Sequence, residues 1–317
     1  MSAVKNIHTI SEVMGCETEW LWYPYIAYGK VTIIMGDPGE GKTTLALNIA
    51  AAVSSGKAFW KEEGIPVSDV VFQTAEDGLS DTVKPRLLAA GADCNRVFFY
   101  DDSEDIITFT DERIPEILSF TGCRLMIFDP LQAFLGQGVD MHRANEIRPV
   151  MSRLASLAAE FNCAIVLIGH MNKNMTAKAA YRAVGSIDLT AAARSVLIVA
   201  RDKSAPEVRV ISQIKSSLAP EGKNVAFRLS EDNGLSYIGE YESDIDELLL
   251  GIGSAPTKRD LAKEFLMSEL GNGQPKLAKL ITDKAAALDI SSSSLSRAKS
   301  QLGVKSFKKD NVWFVQI

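Results

Sequence analysis

Residues Gly36-Asp37-Pro38-Gly39-Glu40-Gly41-Lys42-Thr43 set glycines, a lysine and a hydroxyl at the spacing Gly-x-x-x-x-Gly-Lys-Ser/Thr. That spacing suits a polyphosphate. Glycines allow successive backbone N–H groups to turn inward around phosphate oxygens, and a helix beginning at the end of the loop adds the positive end of its dipole. Lys42 is expected to reach the β- and γ-phosphates and the Thr43 hydroxyl to ligate Mg2+, with Thr44 next at the helix start. The motif carries this meaning only between a strand and a helix. Val31 to Met35 reads as a buried strand and Thr44 to Ala51 as a helix, which is the required setting. A nucleoside triphosphate with Mg2+ is the expected ligand.

Phosphoryl chemistry also asks for a carboxylate near the metal and a group that orients water for in-line attack. The apolar run Leu125-Met126-Ile127-Phe128 leads straight into Asp129, which is placed to share the metal with Thr43. An ordinary strand-ending aspartate before Pro130 is the plainer alternative. Because proline follows Asp129, no Asp-Glu pair is available there. A different apolar run, Val70-Val71-Phe72, leads through Gln73-Thr74-Ala75 to Glu76 and Asp77, so a general base is sought among these two carboxylates. Acids also favour helix N-termini, and a helix is expected over residues 79–90.

The elements that must hold these groups follow from hydrophobic periodicity. At 317 residues with 46% apolar content, the chain has material for about two globular domains. Between residues 28 and 215, strands alternate with amphipathic helices, the pattern of an α/β fold with a mostly parallel central sheet covered by helices. The strands are expected at Val31 to Met35, Val70 to Thr74, Val97 to Tyr100, Leu125 to Phe128, Ala164 to Ile168, Ser195 to Ala200 and Val208 to Ile214. A terminal hairpin is expected from Val225 to Leu229 and Leu235 to Ile238. Residues 1–240 are read as one domain and the acidic, then Gly/Pro-containing stretch 241–256 as a linker. Residues 257–317 are read as three short helices and a hairpin, a winged helix-turn-helix pattern whose third helix carries Ser296, Arg297 and Lys299 on its polar side. This tail holds eleven Lys/Arg against six Asp/Glu, a charge of +5, which leaves −11 for the remainder of a chain whose net charge is −6. Its basic balance fits a polyanion, and equally a solvated face.

Other classes are disfavoured. Cys16, Cys94, Cys123 and Cys163 are widely spaced without a Cys-x-x-Cys pair, so neither a zinc site nor a disulfide framework is expected. No apolar run approaches the ~18 residues of a spanning helix, and no basic-then-apolar leader opens the chain, so a cytoplasmic location is the default expectation. Trp20, Trp22, Tyr23 and Tyr25 are expected to pack on the core, with cover for a nucleotide or a subunit edge as the alternative.

Taken together, the glycine loop, Glu76-Asp77 with Arg86-Leu87, Phe128-Asp129-Pro130, Gly169-His170-Met171-Asn172-Lys173, and Gly185-Ser186 followed by Ala193-Arg194 resemble the RecA-like P-loop ATPases of the RepA-type replicative helicase group. The segment Trp20-Leu21-Trp22-Tyr23-Pro24 before Gly29-Lys30 is similar to members of that group as well. The resemblance covers roughly residues 10–240 and implies a RecA-like core that hydrolyses ATP. It implies Glu76 as the catalytic base and His170 as the strand-end group that senses the γ-phosphate. It also implies Arg194 and Lys215 as basic groups that complete a neighbouring subunit's site. Loops 136–143 and 172–184 would then face single-stranded DNA in a homo-oligomeric ring or filament, with duplex contact open to residues 257–317. The implied activity is that of a helicase or translocase. A repair or recombination ATPase that binds DNA without unwinding, and a nucleotide-gated DNA-binding regulatory module, are the alternatives.

Overall fold

A strand covered on both faces can be apolar at every position, and a strand of that kind belongs in a parallel sheet flanked by helices. The computed structural model describes residues 9–60, 64–101, 103–136, 138–141, 143–171, 187–230, 234–250, 258–270, 274–288, 290–309 and 312–316. It divides into two units, Met1–Gly251 and Ile252–Ile317.

In the first unit a small pair, β1 (Trp20–Trp22) and β2 (Ile26–Ala27), precedes β3 (Val31–Gly36), the glycine loop and α1 (Lys42–Ser55). Then follow β4 (Val70–Thr74), α2 (Lys84–Ala89), β5 (Val97–Phe98), α3 (Arg113–Thr121), β6 (Leu125–Asp129), α4 (Ala144–Glu160) and β7 (Ala164–His170). The unit closes with α5 (Ile187–Ala192), β8 (Ser195–Arg201), β9 (Val208–Ser216), β10 (Val225–Leu229), β11 (Leu235–Glu240) and α6 (Ile245–Leu250). Among the described residues β3 to β11 form one nine-stranded sheet in the order β11-β10-β9-β8-β3-β7-β6-β4-β5. The six strands from β8 to β5 in that order run parallel, and β9, β10 and β11 return antiparallel. Because the parallel strands end at one edge, register brings Gly36 beside His170 and Thr74 beside Asp129.

Alternate side chains sort into two apolar layers. Ile33, Met35, Met126, Phe128, Ile165 and Leu167 face α3 and α4, and Ile34, Leu125, Ile127, Val166 and Ile168 face α1 and α2. Trp22 and Tyr25 are buried in the second layer, where Trp22 meets Phe59 edge-on at 5.2 Å, whereas Tyr23 is exposed. The aromatic segment thus packs largely as core.

Two elements differ from the expectation. The helix expected over 79–90 begins with a wide π turn, Leu79–Val83, in which the Thr82 and Val83 amides both donate to the Gly78 carbonyl. Pro85 follows and has no N–H to continue a regular ladder there. The stretch expected as a linker at 241–256 contains α6 instead, so the first unit reaches Gly251. Leu248 is buried against Ala200, Val208, Val210 and Ala226. The Asp244 carboxylate accepts from the Asp246 amide at 2.8 Å. The acidity that reads as solvated linker is in part the capping of a helix start.

The second unit contains α7 (Lys258–Leu270), β12 (Lys276–Leu277), α8 (Ala278–Ala287), α9 (Ser292–Gln301) and the antiparallel pair β13 (Lys305–Lys309) and β14 (Val312–Gln316). The Ser291 hydroxyl accepts from the Ser294 amide at 3.2 Å and so caps α9. Leu266, Ile281, Leu295, Ala298 and Val315 form its own core.

Candidate functional site

The site is built on the edge where β3, β4, β6 and β7 end. Gly39 and Gly41 adopt φ of 79° and 83°, the left-handed region that favours glycine. A Cβ on Gly36 would lie 2.5 Å from the Val199 carbonyl oxygen, so that position also requires glycine for space. The Lys42 ammonium donates to the carbonyls of Gly36 at 2.9 Å and Asp37 at 2.8 Å. Burial lowers its pKa, with Asp129, Asp37, Glu40 and Glu76 acting the other way. Lys42 is thus held at the mouth of the loop, short of solvent.

Asp129 closes β6 and is buried. Its Oδ2 accepts from the Thr43 hydroxyl at 2.5 Å, joining β6 to the first residues of α1. Burial raises its pKa, while the Thr43 hydrogen bond and the Lys42 charge favour the ionised form. A hydroxyl and a carboxylate in contact are hard oxygen donors of the kind Mg2+ accepts, and Mg2+ is held by one or two carboxylates together with substrate phosphates. Among the described residues no group of three His, Cys, Asp or Glu side chains could form an all-protein cage. The donor set therefore fits a metal brought with a nucleotide.

The raised pKa has a stability consequence. A carboxyl whose folded pKa lies above its unfolded value lowers stability once pH exceeds the folded pKa, and the penalty fades as pH falls toward the unfolded value. Asp129→Asn is expected to melt above the wild type at pH 7 without nucleotide. That difference should shrink as pH falls through the folded pKa of Asp129 toward about 3.9, a trend that melting curves at several pH values would check.

The two carboxylates after β4 are not equivalent. Asp77 pairs with Arg86 of α2 at 3.4 Å, whereas Glu76 is exposed and its Oε1 lies 3.6 Å from His170 Nε2. On the other side of that ring, Nδ1 lies 3.4 Å from the Lys42 ammonium. An ammonium can only donate, so in this contact Nδ1 can serve only as the acceptor. Lys42, His170 and Glu76 form a continuous polar row beside Thr43 and Asp129.

Arg194 and Lys215 lie elsewhere. The Arg194 amide donates to the Val31 carbonyl, and Ser195 pairs with Thr32, so Arg194 stands at the start of β3. Five residue steps along β3 separate it from Gly36, about 16 Å of strand. Its side chain is exposed. The Lys215 ammonium donates to the Thr190 and Ala191 carbonyls at 2.7 Å each, closing the C-terminal end of α5 within its own chain. Burial, then the nearby Arg194 charge, lowers its pKa. Neither residue reaches the glycine loop of its own chain.

Of the first loop, residues 136, 138–141 and 143 are described. Arg143 is tied there to Asp140 at 3.5 Å and Glu146 at 3.4 Å. Gln137, His142 and the whole of 172–184 lie outside the described residues.

Two groups at the glycine loop were missed by the sequence reading. Arg201 at the end of β8 and Arg209 on β9 both face Glu40, at 3.5 and 3.3 Å. An arginine within the apolar run Val208-Arg209-Val210-Ile211 is the signal, because arginine is seldom buried without a partner.

Known proteins share this outline. A family model described as AAA domain matches residues 15–175. Among solved structures, the chain is similar to one of an ATPase domain, with a TM-score of 0.51 and 15% identity over 66% of this chain and 84% of that one. It is also similar to a DnaB-like replicative helicase solved for its interactions with primase, with a TM-score of 0.50 and 16% identity over 65% of this chain. The match spans 56% of that helicase chain, little more than half its length. These likenesses establish a RecA-like α/β fold with a mostly parallel sheet. No described helix is long and apolar enough to cross a membrane. The family match runs from before the first aromatic strand to just past His170, more than half of the 317 residues, and on that ground the chain belongs to the AAA domain family.

Proposed function

We propose that the protein is a Mg2+-dependent ATPase that acts on DNA as an oligomer, with a helicase or translocase of the RepA type as its specific form. The observation that carries the ATPase reading is the convergence at one sheet edge of Lys42, the Thr43–Asp129 contact, and the Glu76–His170 pair. In this reading the backbone of the glycine loop and the start of α1 take the β- and γ-phosphates. Thr43 and Asp129 would hold Mg2+, which would supply neutralisation of the charge on the phosphate oxygens. Lys42 leaves the Gly36 and Asp37 carbonyls for the phosphates. Glu76 accepts a proton from the attacking water, and His170, held between Glu76 and Lys42, couples base position to phosphate occupancy.

The DNA reading rests on the sequence resemblance and on the +5 charge of residues 255–317. The order of a helix, a short strand, two further helices and a hairpin in that unit supports a winged-helix-like module. The experiment is steady-state ATP hydrolysis with and without single-stranded DNA, with Mg2+ present or chelated. Turnover that requires Mg2+ and rises with single-stranded DNA supports the motor. Turnover indifferent to single strands, with duplex binding confined to residues 257–317, would shift the reading to a nucleotide-gated regulatory module.

A further inference from the structure

Glu40 occupies the glycine loop immediately before Gly41, where a carboxylate next to incoming phosphates repels them. Its carboxylate lies instead against the β8–β9 pair. Oε1 lies 3.5 Å from Arg201 Nε and Oε2 lies 3.3 Å from Arg209 Nε, and the Glu40 side chain is only 15% exposed. Arg201 and Arg209 are direct cross-strand partners. Two like charges opposite each other destabilise a sheet unless an opposite charge stands between them, and Glu40 is that charge.

The arrangement is fixed at its base. Arg209 is 7% exposed and donates to the carbonyls of Pro206 at 2.5 Å and Val208 at 3.2 Å. Burial, then the Arg201 charge, lowers its pKa, with Glu40 opposing. Arg201 makes a second attachment to the loop, donating to the Gly39 carbonyl at 3.3 Å. Further along the loop, a Cβ on Gly41 would lie 2.8 Å from Leu229 of β10. The outer side of the glycine loop is therefore backed by β8, β9 and β10, with Glu40 as its charged arm. Glu40 Oε2, Arg201 Nε and Arg209 Nε make no aligned hydrogen bond, so the contacts are between charges and tolerate small movements of the loop.

We propose that Glu40, Arg201 and Arg209 form a brace that positions the glycine loop for nucleotide, and that Glu40 contacts neither phosphate nor metal. This rests on the nucleotide-binding reading above. A loop already held in place loses less conformational freedom on binding, so the brace acts on affinity by preorganisation. Arg201 and Arg209 lie beyond the span of the family match, so the brace is read from this structure alone.

The test is calorimetric titration of ADP into the wild type, Glu40→Gln, Arg209→Met and the double variant, each in Mg2+ and in EDTA, with melting curves alongside. Each single variant is expected to bind ADP about tenfold more weakly, and the double variant no worse than either single, since all remove one shared interaction. The factor should be the same with and without Mg2+, and KM for ATP should rise far more than kcat falls. Arg209→Lys, which keeps the charge, should recover part of the loss. Should Arg209→Met not fold, Arg201→Met, at a half-exposed arm of the same brace, serves in its place with a smaller loss of about threefold. A Glu40→Gln effect confined to Mg2+ overturns the proposal by making Glu40 a metal-side group, as does wild-type affinity in the single variants. Absence of nucleotide binding by the wild type overturns the function reading together with it.

Discussion

Glu76→Gln is expected to lower ATP turnover by about 10²- to 10⁴-fold, the usual contribution of a positioned general base, while ADP affinity stays near that of the wild type. Its surroundings decide between it and its neighbour. Asp77 is engaged by Arg86, so its carboxylate is directed toward α2. Glu76 stands in solvent beside His170, which in turn touches the lysine that the phosphates would draw away. The glutamine keeps the size of the side chain and removes its negative charge together with the capacity to take a proton. Single-turnover hydrolysis together with ADP titration measures both quantities. Hydrolysis that survives in Glu76→Gln would remove the residue from the mechanism and return the choice to Asp77 or to water held by His170. A parallel loss of ADP affinity would show that Glu76 shapes the loop rather than the chemistry.

Some of this site was readable before any coordinates and some was not, and the division follows physical lines. The glycine loop is legible because its backbone geometry restricts residue type: Gly39 and Gly41 need left-handed φ, and Gly36 needs the space beside Val199. Asp129 is legible because the apolar strand ends in a carboxylate that could share a metal with Thr43; the direct hydrogen bond between the two is visible only in the structure. The nine-stranded order is not written in any local pattern, since it depends on which runs pair across long separations. Arg201 and Arg209 acquire meaning only from the cross-strand register that sets them opposite each other over Glu40. The helix at Ile245–Leu250 was hidden because Asp244 and its acidic neighbours look like solvated linker until Leu248 is seen to be buried. Lys215 was read as a hand extended to a neighbour, yet its ammonium is held by two carbonyls of its own chain, a role that sequence spacing does not reveal.

Arg194 gives the sharpest test of assembly. It is exposed and stands at the opposite end of β3 from the glycine loop. About 16 Å of strand separates the two, so it cannot serve the phosphate site of its own chain. If it completes the site of a neighbour, Arg194→Ala is expected to reduce turnover by about 10³- to 10⁵-fold, the range for a trans-acting arginine, without loss of nucleotide binding. Lys42→Ala is expected to be inactive for the opposite reason, having lost the phosphate contact inside its own loop. Mixing the two inactive proteins is then expected to restore activity. An Arg194→Ala subunit retains a working loop, and a Lys42→Ala neighbour supplies the missing arginine to it. Random assortment in a closed ring makes about one site in four complete, so turnover near a quarter of the wild-type rate is the expected ceiling. Recovery would establish that the site is shared between chains and that the two ends of the sheet face each other across an interface. A mixture that co-assembles by size yet stays inactive would show that Arg194 does not complete a neighbour's site. The oligomer would then have to be explained by something other than completion of the ATP site.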